Sequence, residues 1–128
     1  MIFALALASA TTAADLDALG TAVAACDRAV VNPIFSAEAA RRSDLMRATF
    51  REQEAIVAQR RALAARRLEL RQQAAAGGYE ALTLAEAAID ERQQALNDER
   101  LLENLRRETM DAMRHHFLQT CPAGKSRS

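Results

Sequence analysis

From Ser36 the chain runs to Gly77-Gly78 without a single glycine or proline, and a second such stretch ends at Cys121-Pro122. A stretch of about 40 residues with no breaker and little β-branching spans roughly 60 Å if helical. Strands do not run to that length, so the chain is expected to be all-α. Two long helices joined by a short Gly-containing connection pack antiparallel, because a loop of that length leaves no other neighbour within reach. Gly77-Gly78 supplies positions able to take positive φ, which ends one helix and lets the chain reverse.

The periodicity sharpens this. In the first long stretch Thr49, Ile56, Leu63 and Leu70 fall seven apart, the spacing of a coiled-coil seam. Leu45, Met46, Phe50, Val57 and Leu68 lie along the same side, while Gln53, Arg60 and Arg67 interrupt the seam. Ser36 is the expected N-cap of this helix. The next helix is expected to start at Thr83, where "TLAE" fits a capping box closed by Glu86. Its apolar residues run through Leu84, Ile89, Leu96, Leu102, Leu105, Met110, Met113 and Phe117.

A shorter helix should precede both. Leu16, Leu19, Val23, Cys26 and Val30 recur at steps of three and four, and "TAAD" from Thr12 resembles a helix start. Asn32-Pro33 is expected to end this helix and turn the chain back. The domain is thus a helical hairpin over residues 15–121, with an N-terminal helix over 15–31 packed at its open end and a disordered tail over 122–128. That fold brings Cys26 and Cys121 together, and one disulfide between them is expected. The loop it closes is roughly 100 residues, for which the chain-entropy estimate is about 4–5 kcal/mol.

Charge supports the hairpin independently. Ser36 to Ala76 holds nine arginines against five acids, and Tyr79 to Gln119 holds nine acids against five arginines, so the helices carry +4 and −4. Reversal near residue 78 would place Arg66 and Arg67 level with Glu86 and Asp90, and Arg47 and Arg51 level with Glu103 and Glu108. Pairs of this kind select register more than they stabilise, at about 0–1 kcal/mol each.

Over the whole chain 17 basic residues balance 17 acidic ones. That balance lacks the electrostatic footprint of a nucleic-acid or anionic-membrane binder. Thirty alanines, and sixteen arginines against one lysine, point to a GC-rich bacterial genome.

Residues 1–14, "MIFALALASATTAA", read as a secretory signal with cleavage after Ala10 or Ala14, although no basic residue precedes the apolar run. At thirteen uncharged residues the run is shorter than the roughly 20 that a membrane span needs. An exported chain with two cysteines favours a disulfide. "VAAC" at 23–26 resembles a lipobox, but Asp15 and Asp17 would interrupt its apolar region, which argues against a lipid anchor at Cys26.

Residue patterns that carry chemistry are few. His115 and His116 are adjacent and point about 100° apart on a helix, and no zinc spacing joins them to Cys121, so neither a metal site nor a cofactor is expected. "AGKS" at 123–126 lacks the leading glycine of a phosphate loop, since Gln119 stands there. No nucleophile elbow, HExxH or dinucleotide turn occurs, and no catalytic residue or small-molecule substrate is expected.

Helix order and the export-like leader resemble the exported helical-hairpin chaperones of the Skp and Spy/CpxP kinds. "LTLAE" at 82–86 approaches the LTxxQ motif of the latter, with Glu86 in place of glutamine and a single occurrence, so no functional residue transfers. The resemblance implies a periplasmic or secreted interaction or scaffold protein, possessing chaperone-like activity. A metal or redox sensor using His115, His116 and Cys121, and a cytosolic coiled-coil adaptor, are the alternative functions. The expected interaction face is Phe50, Ile56, Val57, Leu63 and Leu70, used for a protein partner or for self-association.

Overall fold

The computed structural model describes residues 15–122. The expected signal segment and most of the expected tail lie outside them. Three helices make up the fold: α1 over residues 15–24, α2 over Arg28–Gln72 and α3 over Tyr79–Thr120. No strand occurs among the described residues. The chain is all-α, a long helix pair with a short N-terminal helix packed against it, and it divides into two compact units.

The central unit, residues 43–103, is an antiparallel hairpin of the second half of α2 and the first half of α3. Its core is one helix seam in which Ile56, Ile89 and Leu96 are buried and Leu63 packs against them. Leu70 and Leu82 are buried as well. The side of α3 that faces inward carries the expected Ile89 and Leu96 but departs from expectation at three leucines. Leu82, Ile89 and Leu96, seven apart, form it, whereas Leu84 and Leu102 are exposed.

The interruptions in the seam are matched across it. Gln53 and Gln93 exchange amide hydrogen bonds of 2.9 and 3.1 Å. Arg60 meets Asp90 at 2.9 Å, and Arg67 donates to both oxygens of Glu86 at 2.9 and 3.0 Å. Arg92 donates to Glu52 at 2.7 Å. Apolar layers alternate with polar layers that accept only one axial register. Of the expected ion pairs, Arg67 with Glu86 forms, while Arg66 pairs with Glu69 on its own helix and Arg47 donates to Ser43.

The other unit combines residues 15–42 with 104–122. Here α1 packs on the start of α2 and the end of α3. Leu19, Ala22, Val23, Val31, Met110, Phe117 and Cys121 are buried together, with Leu16, Cys26, Ile34, Phe35 and Met113 around them. Gly20 of α1 faces Met113 of α3, where an added Cβ would lie 3.5 Å from Met113 Cε, an ordinary packing distance.

Four helix boundaries differ from the sequence expectation, among them the start of α2, which lies at Arg28 and leaves Ser36 inside the helix instead of at its N-cap. α1 stops at residue 24, not 31, and the chain turns at residues 25–27 instead of at Asn32-Pro33. The stop is a Schellman motif: the Asp27 N–H donates to Ala22 O at 2.9 Å and the Cys26 N–H to Val23 O at 3.1 Å, with Cys26 at φ 52°. The Asp27 carbonyl then accepts from Val30 and Val31 as the first bonds of α2 form. Pro33 sits inside α2 and not at its boundary. Its missing donor leaves only the Ala29 carbonyl unbonded within the helix, and both residues are exposed. Packing of Val31, Ile34 and Phe35 into the core on either side outweighs that loss.

α2 also ends five residues before Gly77, in a second Schellman motif. Ala75 N–H donates to Leu70 O at 3.0 Å and Ala74 N–H to Arg71 O at 3.1 Å, with Ala74 at φ 48°. α3 begins at Tyr79, ahead of Thr83, whose hydroxyl donates back to Tyr79 O at 2.9 Å and caps nothing.

Candidate functional site

Two arrangements stand out, one in each unit. In the terminal unit Cys26 and Cys121 form a disulfide with their Cα atoms 5.6 Å apart. The positive φ of Cys26 belongs to the same turn, so the cross-link sits where α1 hands over to α2. Arg28, in the first turn of α2, donates to the Cys121 carbonyl and lies 5.3 Å from the Phe117 ring centroid, within cation–π range. Phe35 meets Phe117 at 6.3 Å between centroids. The disulfide is thus backed by an aromatic and guanidinium layer that joins α2 to α3.

Next to this layer is a buried charge cluster. Glu38 is only 8% exposed. It accepts from Arg41 at 2.6 and 2.9 Å and from Arg42 at 3.0 Å, and Arg106 of α3 stands 3.7 Å away. Arg42 also reaches Asp111 at 2.9 Å. Burial pushes the Glu38 carboxyl up, but the hydrogen bonds from Arg41 and Arg42 and the charges of Arg41 and Arg106 outweigh it, holding Glu38 below the usual carboxylate range. The cluster is a structural tie between α2 and α3. Its carboxylate is committed to arginines and is not presented to a reactant.

In the central unit the notable feature is what the seam leaves out. Met46, Phe50, Val57 and Leu68 of α2 are 68%, 61%, 39% and 54% exposed. On α3 Leu84, Leu101 and Leu102 are 67%, 59% and 56% exposed. The five residues expected to form one interaction face are therefore divided. Ile56 and Leu70 are buried and Leu63 is half-buried, Ile56 and Leu63 being spent on the contact with Ile89 and Leu96 of α3, while Phe50 and Val57 face solvent. A cavity of about 210 Å³ opens beside Ala64, walled by Arg60, Leu63, Arg67, Glu86 and Ile89. Sequence spacing held the signal for the exposed set, since Met46, Phe50, Val57 and Leu68 form their own stripe, offset from the Ile56 seam.

Among the described residues no three His, Cys, Asp or Glu side chains are grouped to hold a metal ion. His115 and His116 are both exposed, and Cys121 is in the disulfide. No described helix is long and apolar enough to cross a membrane. No protein-family model matches the chain, and neither does any curated protein or solved structure.

Proposed function

We propose that this chain is an exported, non-enzymatic helical hairpin of a bacterial periplasm or secreted fraction, which works by binding protein and has chaperone-like activity. The observation that carries the reading is the exposed set Met46, Phe50, Val57, Leu68, Leu84, Leu101 and Leu102 on helices whose mutual seam is already filled. Those side chains do nothing for the hairpin's own core, and exposed leucine, methionine and phenylalanine bind apolar surface of varied shape. Export is supported by the signal-like segment 1–14 and by the disulfide, a bond that persists in oxidising compartments.

The partner is a polypeptide: a non-native client on the α3 leucines, a second copy on the α2 stripe, or both. The client is tested by light scattering of an aggregating reporter protein with and without the oxidised hairpin. Suppression near equimolar ratio, lost in Leu101→Asp/Leu102→Asp, is the expected result. Unchanged aggregation at excess hairpin contradicts the reading.

A further inference from the structure

The exposed stripe of α2 has a symmetry that an asymmetric client has no use for. Met46, Phe50, Val57, Ala64 and Leu68 are separated by four, seven, seven and four residues, so the series reads the same in both directions about Val57. Steps of four and seven return to one helix face, and all five residues are exposed. Laid against a second copy in the antiparallel sense, Met46 meets Leu68 of the other chain, Phe50 meets Ala64, and Val57 meets itself. This is the requirement of an isologous two-fold interface, in which one patch is its own complement.

Charge selects the same arrangement. Glu54 and Arg61, three residues before and four after Val57, lie on the same side of the stripe, and both are exposed. Neither takes part in any hydrogen bond or ion pair among the described residues. Across the two-fold they come level to within one residue's rise, about 1.5 Å. Each Glu54 then faces the Arg61 of the other copy, and the contact is made twice. A parallel two-fold would carry this flank to opposite sides of the contact in the two copies, so Glu54 and Arg61 would not meet across it.

Shape supplies the third element. Phe50 is the largest side chain on the stripe and its antiparallel counterpart is Ala64, the smallest. The cavity beside Ala64 measures about 210 Å³. Leu63 and Ile89 offer an aromatic ring apolar contact beneath, and the ion-paired guanidiniums of Arg60 and Arg67, with Glu86, form the rim.

The geometry points to a second copy of this chain as the occupant of the α2 stripe: an antiparallel homodimer centred on Val57, with Phe50 of each copy seated in the Ala64 cavity of the other. It deepens the protein-binding reading above and rests on it only in taking the partner to be protein. The two fail separately, since dimerisation is read without a client.

Sedimentation equilibrium of the oxidised chain tests it, with helicity checked by circular dichroism. The expected result is a reversible dimer whose dissociation constant rises at least about tenfold in Phe50→Asp. Glu54→Arg and Arg61→Glu should each weaken the dimer, and the two together should restore it. Val57→Cys should cross-link to itself under mild oxidation, while Ala48→Cys, off the stripe, should not. A monomer at millimolar concentration overturns the proposal. So does a dimer indifferent to Phe50→Asp, or one that the double charge reversal fails to rescue.

Discussion

Cys26 and Cys121 are 95 positions apart in the chain, yet their Cα atoms lie 5.6 Å from each other in a covalent pair. The bond closes nearly the whole described chain into one loop. By the chain-entropy estimate this contributes about 4–5 kcal/mol, almost all of it through the unfolded state. Cys26→Ser/Cys121→Ser should therefore keep its helical content in dilute buffer while its urea midpoint falls by that equivalent. An unchanged midpoint would show that the cross-link is idle.

The turn at Ala74 makes the opposite kind of prediction. A left-handed conformation costs a non-glycine residue about 1 kcal/mol, and Ala74 holds φ 48° at the end of α2. Ala74→Gly should raise stability by about that amount in chemical denaturation. Gly78→Ala should lower it, because Gly78 has φ 96° and an added Cβ would come within 3.2 Å of Leu70.

Pro33 is exposed in the interior of α2 and caps nothing there. Replacing it by alanine restores one helical hydrogen bond and removes a ring clash, worth up to about 3 kcal/mol. Pro33→Ala should thus be stabilising. Loss of stability would return the bend to Asn32-Pro33.

How much of this could be read beforehand follows from where each signal resides. The two long helices and their reversal were legible because breaker-free length is a local property, and Ile56, Leu63 and Leu70 lie on the predicted seam. The first bend was not, because the two left-handed turns are made by Cys26 and Ala74, residues that carry no turn signal, while the conspicuous Pro33 is tolerated through the burial of Val31, Ile34 and Phe35. On α3 leucines occur on several faces. Only the partner helix decides that Leu82 goes in and Leu84 and Leu102 stay out. For the same reason the sequence pattern puts Phe50 and Val57 on one face with Ile56, although a rotation of about 100° separates neighbours along a helix.

Two glutamates should give opposite pH signatures. Glu38 has its folded pKa lowered, so its contribution is fully present above the unfolded value of about 4.3 and is lost as pH falls through the folded one. Glu38→Gln should cost about 3 kcal/mol at pH 7, the low end for a buried pair, since Arg41 and Arg42 keep 30% and 24% of their side-chain surface. That deficit should shrink in acid.

Glu99 is shifted the other way, by burial and then by the charge of Glu103 four residues on. Its contribution is present below about pH 4.3 and is lost as pH rises through the raised folded value, so ionised Glu99 is a liability at neutral pH. Glu99→Gln should stabilise by about 0.2–0.5 kcal/mol at pH 7, the scale of a like-charge pair one turn apart, and by less in acid. Urea titrations of both variants at neutral and acid pH check the two signs.

Export and cross-linking in the cell are the two properties on which the proposed function most depends. Intact mass of the protein produced in a bacterial host from its own first methionine, taken with and without reductant, tests both at once. The predicted species lacks the residues up to Ala10 or Ala14 and, before reduction, is lighter by two thiol hydrogens. A chain that keeps residues 1–14 and carries two free thiols would contradict it.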